Sequence, residues 1–132
     1  MSVPVFAIDT HALYWHLTNA PNLSPKARQV FADAQNGLAI LAIPHVVLAE
    51  FFYLLQKQGK VNLFKTFIDA AELSPVYALE AVTLADLRHL PTFSEIPEMH
   101  DRLIAIIAAR LNATLVTRDP ALQASPRVQW LW

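Results

Sequence analysis

The sequence predicts a three-layer α/β/α sandwich around a mostly parallel five-stranded sheet, as a single domain over residues 1–132. Three observations predict it. Short apolar, β-branched runs alternate along the chain with stretches of helical periodicity. Two-residue hairpin signals between strands are missing, and the one Asn-Gly pair, Asn36-Gly37, falls where a helix should end. Strands without hairpins must be joined by crossovers, which makes them parallel and puts helices on both faces of the sheet.

The elements follow in order. Residues 3–8 form an apolar run that ends at Asp9 and reads as a buried strand. Residues 10–17 read as a helix. Ser24 and Pro25 mark a second helix start, as N-cap and first helical residue, and Gly37 ends that helix after about Asn36. Residues 38–42 are a second strand. Pro44 is expected to open a helix that reaches about Lys57 and breaks at Gly59, and another helix covers about 62–72. A weaker strand is expected at 76–79 and a helix at 83–90, stopped by Pro91. Pro97 is expected to open a helix whose apolar run, 103–109, implies burial on most sides, with Asn112 as its C-cap. Residues 115–117 and 128–130 supply the last two strands.

Composition narrows the function classes. At 132 residues with 55% hydrophobic and 16% charged, the chain can bury a core without disulfides or a structural metal. Cysteine is absent, which excludes thiolate metal sites and cysteine nucleophiles. The five histidines show no ligand spacing, so a zinc site is not expected. No apolar run is long enough to cross a bilayer, and the N-terminus lacks a signal-peptide pattern, so a soluble cytoplasmic protein is expected. The formal net charge of −1 argues against a broad basic surface for nucleic acid. Any such binding must be local.

Four acids occupy informative places. Asp9 directly follows the first strand and Asp119 lies just past the fourth, so both fall at the carboxyl edge of the sheet. In open α/β sheets, sites form at that edge. Glu50 shares a helical stripe with Ile43, Val46, Val47 and Leu54, and Asp101 shares one with Ile104, Ala105 and Ala108. A carboxylate on an inward stripe is costly unless paired, protonated or metal-bound. Each acid also has a plainer reading. Asp9 and Asp119 could be helix N-caps, Asp101 could favour the positive end of its helix, and Glu50 could reach solvent. Together they suggest an oxygen-rich site for a hard divalent cation and phosphodiester hydrolysis.

The runs Ile8-Asp9-Thr10, Pro44 to Leu54 with Glu50, His100 to Ala105 with Asp101, and Leu115 to Asp119 resemble the ordered motifs of PIN domains. The likeness is to the VapC-type toxins of toxin–antitoxin pairs. It implies an endoribonuclease dependent on Mg²⁺ or Mn²⁺, with Asp9, Glu50, Asp101 and Asp119 as catalytic and metal-binding residues. Thr117 matches a hydroxyl position behind the ligands, where it could orient a carboxylate or a water, or serve as an ordinary strand residue. The resemblance further implies an RNA substrate, a cognate antitoxin and a homodimer. Phe51, Phe52, Tyr53 and Trp15 exceed one core face, so some could form a partner surface, or all could be buried, Phe51 foremost. Arg102 and Arg118, each beside a candidate ligand, could contact RNA phosphate or an antitoxin carboxylate, or point away.

Two rival classes stand beside the nuclease. One is an inactive PIN-like RNA- or protein-binding module. The other, a phospho-accepting receiver domain, fails because Glu80 rather than Asp follows the third strand and no Lys occurs after Lys65.

Overall fold

The computed structural model describes residues 2–132. The sheet has five strands: β1 (Val5–Ile8), β2 (Ile40–Pro44), β3 (Tyr77–Glu80), β4 (Thr114–Val116) and β5 (Trp130–Leu131). Their order is β3-β2-β1-β4-β5, and all four pairings are parallel. Seven helices connect them: α1 (Thr10–Leu17), α2 (Pro25–Gln35), α3 (His45–Lys57), α4 (Asn62–Leu73), α5 (Leu84–Arg88), α6 (Met99–Arg110) and α7 (Pro120–Gln123). The expected α/β class and strand count are observed, with the sheet wholly rather than mostly parallel.

The topology matters for the site. β1 lies at the centre, paired on one side to β2 and on the other to β4. The chain leaves β1 and turns to opposite sides of it for the next two neighbours. The crevice at such a reversal is where α/β sheets place ligands. The core beneath is continuous: Ile8, Leu41, Ile43 and Leu115 from the strands, with Leu13, Phe51, Leu55, Ile104 and Ile106 from the helices, are all fully buried and belong to one cluster.

Helix starts follow their caps. Ser24 Oγ accepts from Ala27 N at 3.1 Å with Pro25 at the first helical position. Thr83 and Asp86 form a reciprocal capping box at α5. Several boundaries differ from expectation. β2 begins at Ile40 rather than 38, because Leu38 N donates to Asp33 O at 2.8 Å and closes α2 beyond Gly37, whose φ of +74° a side chain rarely adopts. Pro44 does not open α3. It is the last residue of β2, where no ladder N–H is needed, and it stands as the N-cap of α3. α6 starts at Met99 rather than Pro97, because the Glu98 carboxylate accepts from Asp101 N at 2.7 Å. α5 stops at Arg88, and turns carry the chain past Pro91. β5 is displaced to Trp130–Leu131, and α7 follows Asp119, as the N-cap reading of that residue implies.

Arg110 ties the end of α6 to α5 and to the segment after β3. Arg110 Nε donates to Asp86 Oδ1 at 2.8 Å and Nη2 donates to Asp86 Oδ2 at 3.2 Å and to Ala81 O at 3.1 Å. The Asp86 side chain is 1% exposed. Burial alone would raise its pKa, but the Thr83 N–H and Arg110 outweigh it and hold the carboxyl below its usual range. Arg110→Ala strands a buried carboxylate, and we expect a loss of about 2–3 kcal/mol in chemical denaturation at pH 7. A depressed folded pKa contributes stability above the unfolded value. The gap between Arg110→Ala and wild type should therefore close as pH falls through and below the usual Asp range.

Candidate metal centre at the carboxyl edge of the sheet

Asp9 sits where β1 ends and α1 begins, and only 8% of it is exposed. Each of its oxygens is engaged. Oδ1 accepts from Thr10 N at 2.8 Å, which caps α1, and Oδ2 accepts from Thr117 Oγ1 at 2.6 Å. Its own N–H donates to Val116 O at 3.2 Å, extending the β1–β4 pairing to the site. Burial raises its pKa more than the Thr117 and Thr10 hydrogen bonds lower it, and the Asp119 charge adds to the rise.

Thr117 is fully buried and joins two acids. While its hydroxyl donates to Asp9, the same oxygen accepts from Asp119 N at 3.0 Å. Asp119 caps α7 by accepting from Ala121 N at 2.9 Å. Thus Asp9 and Asp119 are N-caps, as their plainer reading held, and line the cleft as well.

Glu50, in the middle of α3, is half-buried. Its Oε1 accepts from Thr10 Oγ1 at 2.8 Å. Burial is the main cause of its raised pKa, with Asp9 and Glu98 also raising it and Thr10 and His100 opposing. Asp101 lies in the first turn of α6. Burial, then the charges of Asp119 and Asp9, push its carboxyl from 3.8 up to about 7. His100 is held by Glu98 Oε1 at 2.6 Å, and that bond raises its pKa above the ordinary imidazole range.

The structure therefore brings Asp9, Glu50, Asp101 and Asp119 to one cleft of about 490 Å³, whose other walls include Thr10, His11, Trp15, Leu54 and Arg118. Among the described residues none of the four acids forms an ion pair with Lys or Arg. No three Asp, Glu or His side chains among those residues stand at metal-ligand spacing, so the arrangement is open. The donor chemistry nonetheless fits a hard divalent cation: four carboxylate groups face one space with no Lys or Arg paired to any of them, and their mutual repulsion is what a cation would relieve.

Two expectations about arginines resolve differently. Arg118 lines the cleft, with its guanidinium carbon 4.6 Å from the centre of the Trp15 ring. Arg102 does not line it. Its Nε donates to Ile96 O at 2.7 Å and its Nη1 to Leu90 O at 3.1 Å, so its donors brace the segment before α6. Sequence reasoning missed Thr10 and Glu98. A hydroxyl directly after Asp9 is a visible signal for the first. Glu is a less common N-cap than Ser or Asp, and the Glu98–Asp101 contact leaves no comparable signature.

The PIN domain family matches residues 6–127. The chain belongs to the PIN domain family. Its fold is also that of a chain in the crystal structure of VapBC2 from Rickettsia felis bound to a DNA fragment from their promoter. The two share 20% sequence identity with a TM-score of 0.72, covering 96% of this chain and 97% of that one. No curated protein gave a significant sequence match.

Two outcomes follow for the metal-free protein. Asp101 binds its proton more tightly folded than unfolded, so the folded state is favoured at low pH and loses that advantage as pH rises from the ordinary Asp range through about 7. In EDTA, Tm should fall between pH 5 and pH 8, and Asp101→Asn should flatten that fall. Thr117→Val deletes the donor to Asp9 and the acceptor for Asp119 N. It should weaken Mg²⁺ or Mn²⁺ binding, read by calorimetry, about 10- to 100-fold.

Proposed function

We propose that the chain is an endoribonuclease dependent on Mg²⁺ or Mn²⁺ and acts as the toxin of a type II toxin–antitoxin pair. The observation that carries the reading is the convergence of four carboxylates from four separate elements on one cleft without a basic partner. Membership of the PIN domain family and the shared fold with a VapBC2 chain support it.

In this reading Asp9, Glu50, Asp101 and Asp119 hold the cation. Bound there, it supplies the positive charge that admits a phosphodiester and acidifies a hydrolytic water. The chain's own contributions are positional. Thr117 fixes the carboxylate plane of Asp9, and Thr10 fixes Glu50. Arg118 faces substrate phosphate from the rim, whereas Arg102 contributes by bracing the turn that presents Asp101.

The protein surface supports the antitoxin and homodimer assignments. Tyr53 (68% exposed), Val61, Leu63 and Leu73 expose apolar area on α3, α4 and the turn between them, beside half-buried Phe52 and Phe64. Apolar area of this kind marks partner surfaces. No helix among the described residues is long and apolar enough to cross a membrane, and we assign the protein to the cytoplasm.

The test is cleavage of a structured cellular RNA with Mg²⁺, Mn²⁺ or EDTA. Wild type should cut with either metal and not in EDTA. Asp9→Asn and Asp101→Asn should each lose about 100-fold or more in rate. Equal metal-dependent cleavage by both variants would reject the mechanism, and RNA binding without cleavage by wild type would favour the inactive module instead.

A further inference from the structure

The cation at the cleft rim is placed unusually. Arg118 stands next to Asp119 in sequence, and charge alone would draw its guanidinium onto a carboxylate. It pairs with none of the acids and, among the described residues, has no protein acceptor for its donor fork. It lies instead against Trp15, 4.6 Å from the ring centre. Its backbone is not free to wander. Thr117 Oγ1 accepts from Asp119 N on one side, and Gln123 Nε2 donates to Thr117 O at 3.0 Å on the other.

The indole is held by other rings as well. The Trp15 ring packs at a tilt against Trp132, 5.7 Å between centres, and against His11 at 5.4 Å. Trp15, His11 and Arg118 all line the same cleft as the four acids. A planar cation with unspent donors, seated on an aromatic ring beside a hydrolytic site, matches a nucleotide. Guanidinium forks take phosphate oxygens, and aromatic or guanidinium planes take bases.

Resting on the nuclease reading above, we propose that Trp15 and Arg118 form a subsite for one unpaired nucleotide adjoining the scissile phosphate. Arg118 binds that nucleotide's phosphate through its in-plane donors, and the base stacks on the outer face of the guanidinium, which Trp15 backs. A base within a duplex has both faces covered by its neighbours and cannot enter. The subsite therefore selects single-stranded RNA by stacking, with little preference among bases. Trp15 and Arg118 are substrate-positioning residues, so their loss should appear in KM and leave kcat within about threefold.

The experiment uses a short single-stranded oligoribonucleotide carrying 2-aminopurine, and the same strand annealed to its complement. Binding is followed by 2-aminopurine quenching with Asp101→Asn protein in Mg²⁺, and cleavage with the wild-type background. Trp15→Ala should raise KM about 10-fold and abolish quenching, while Trp15→Phe, which keeps a ring, should recover most of both. Arg118→Ala should raise KM and lower the salt slope of binding by about 0.7, one phosphate contact on a single strand. The duplex should bind without quenching. Unchanged KM and quenching in Trp15→Ala and Arg118→Ala, with wild type cutting RNA, would overturn the subsite alone. Absence of cleavage by wild type would overturn the nuclease reading, and the quenching series would still decide whether a base stacks on Arg118 where Trp15 backs it.

Discussion

Mutual repulsion among carboxylates at the carboxyl edge of the sheet is the constraint on which the rest of the site depends. The charge of Asp119 raises the cost of ionising Asp9, and at Asp101 the charges of Asp119 and Asp9 add to burial to hold the carboxyl up at about 7. Such a cluster opposes folding unless the scaffold around it is held firmly. The buried carboxyl ends of β1, β2 and β4 do this, and the hydroxyls of Thr10 and Thr117 make the local ties. The hydroxyls are suited to it because they donate to a carboxylate without neutralising it. A lysine in the same place would relieve the repulsion and fill the cation's role. The cluster thus stays anionic and still ordered, which a metal-binding site requires.

Much of this is legible in the amino-acid sequence alone. Strand ends followed by acids send Asp9 and Asp119 to the carboxyl edge of a parallel sheet, whereas the strand order that sets β1 beside β4 has no signature in the sequence. The capping signatures of the two acids are equally legible, and the two readings prove compatible: Asp9 spends one oxygen on the α1 cap and keeps the other for Thr117. Glu50 is visible as the odd member of an apolar stripe. Its partner is not, because the Thr10–Glu50 hydrogen bond joins residues forty apart in sequence and has no local pattern. The same holds for Arg102. Beside Asp101 it resembles a substrate contact, but neighbours on a helix point in different directions, and its fork reaches back to the carbonyls of Leu90 and Ile96.

The boundary differences share one cause. Apolar content places strand starts at 38 and 128, yet the ladder begins only where backbone partners exist. Leu38 is apolar, but it belongs to the closure of α2 and is 57% exposed. Similarly, Pro97 resembles a helix opener, but the Glu98 carboxylate supplies the cap that the first turn of α6 needs. Hydrogen-bond supply overrides hydrophobic pattern in each case.

Charge distribution ties the site to its proposed substrate. With a formal net charge of −1 and an acidic cleft, this chain repels a polyanion at the place where it would act. Broad electrostatic attraction, the usual source of nucleic-acid affinity, cannot serve it. Affinity must come from cations placed singly and from contacts that do not depend on charge. Arg118 is the one arginine or lysine lining the cleft among the described residues, and stacking on Trp15 keeps it from collapsing onto the acids. An aromatic ring is well suited to that task. It attracts the guanidinium through its face yet leaves the in-plane N–H donors free, whereas a carboxylate partner would consume them. An acidic nuclease cleft needs this separation of functions: carboxylates reserved for the metal, and a cation held by an aromatic ring for the strand.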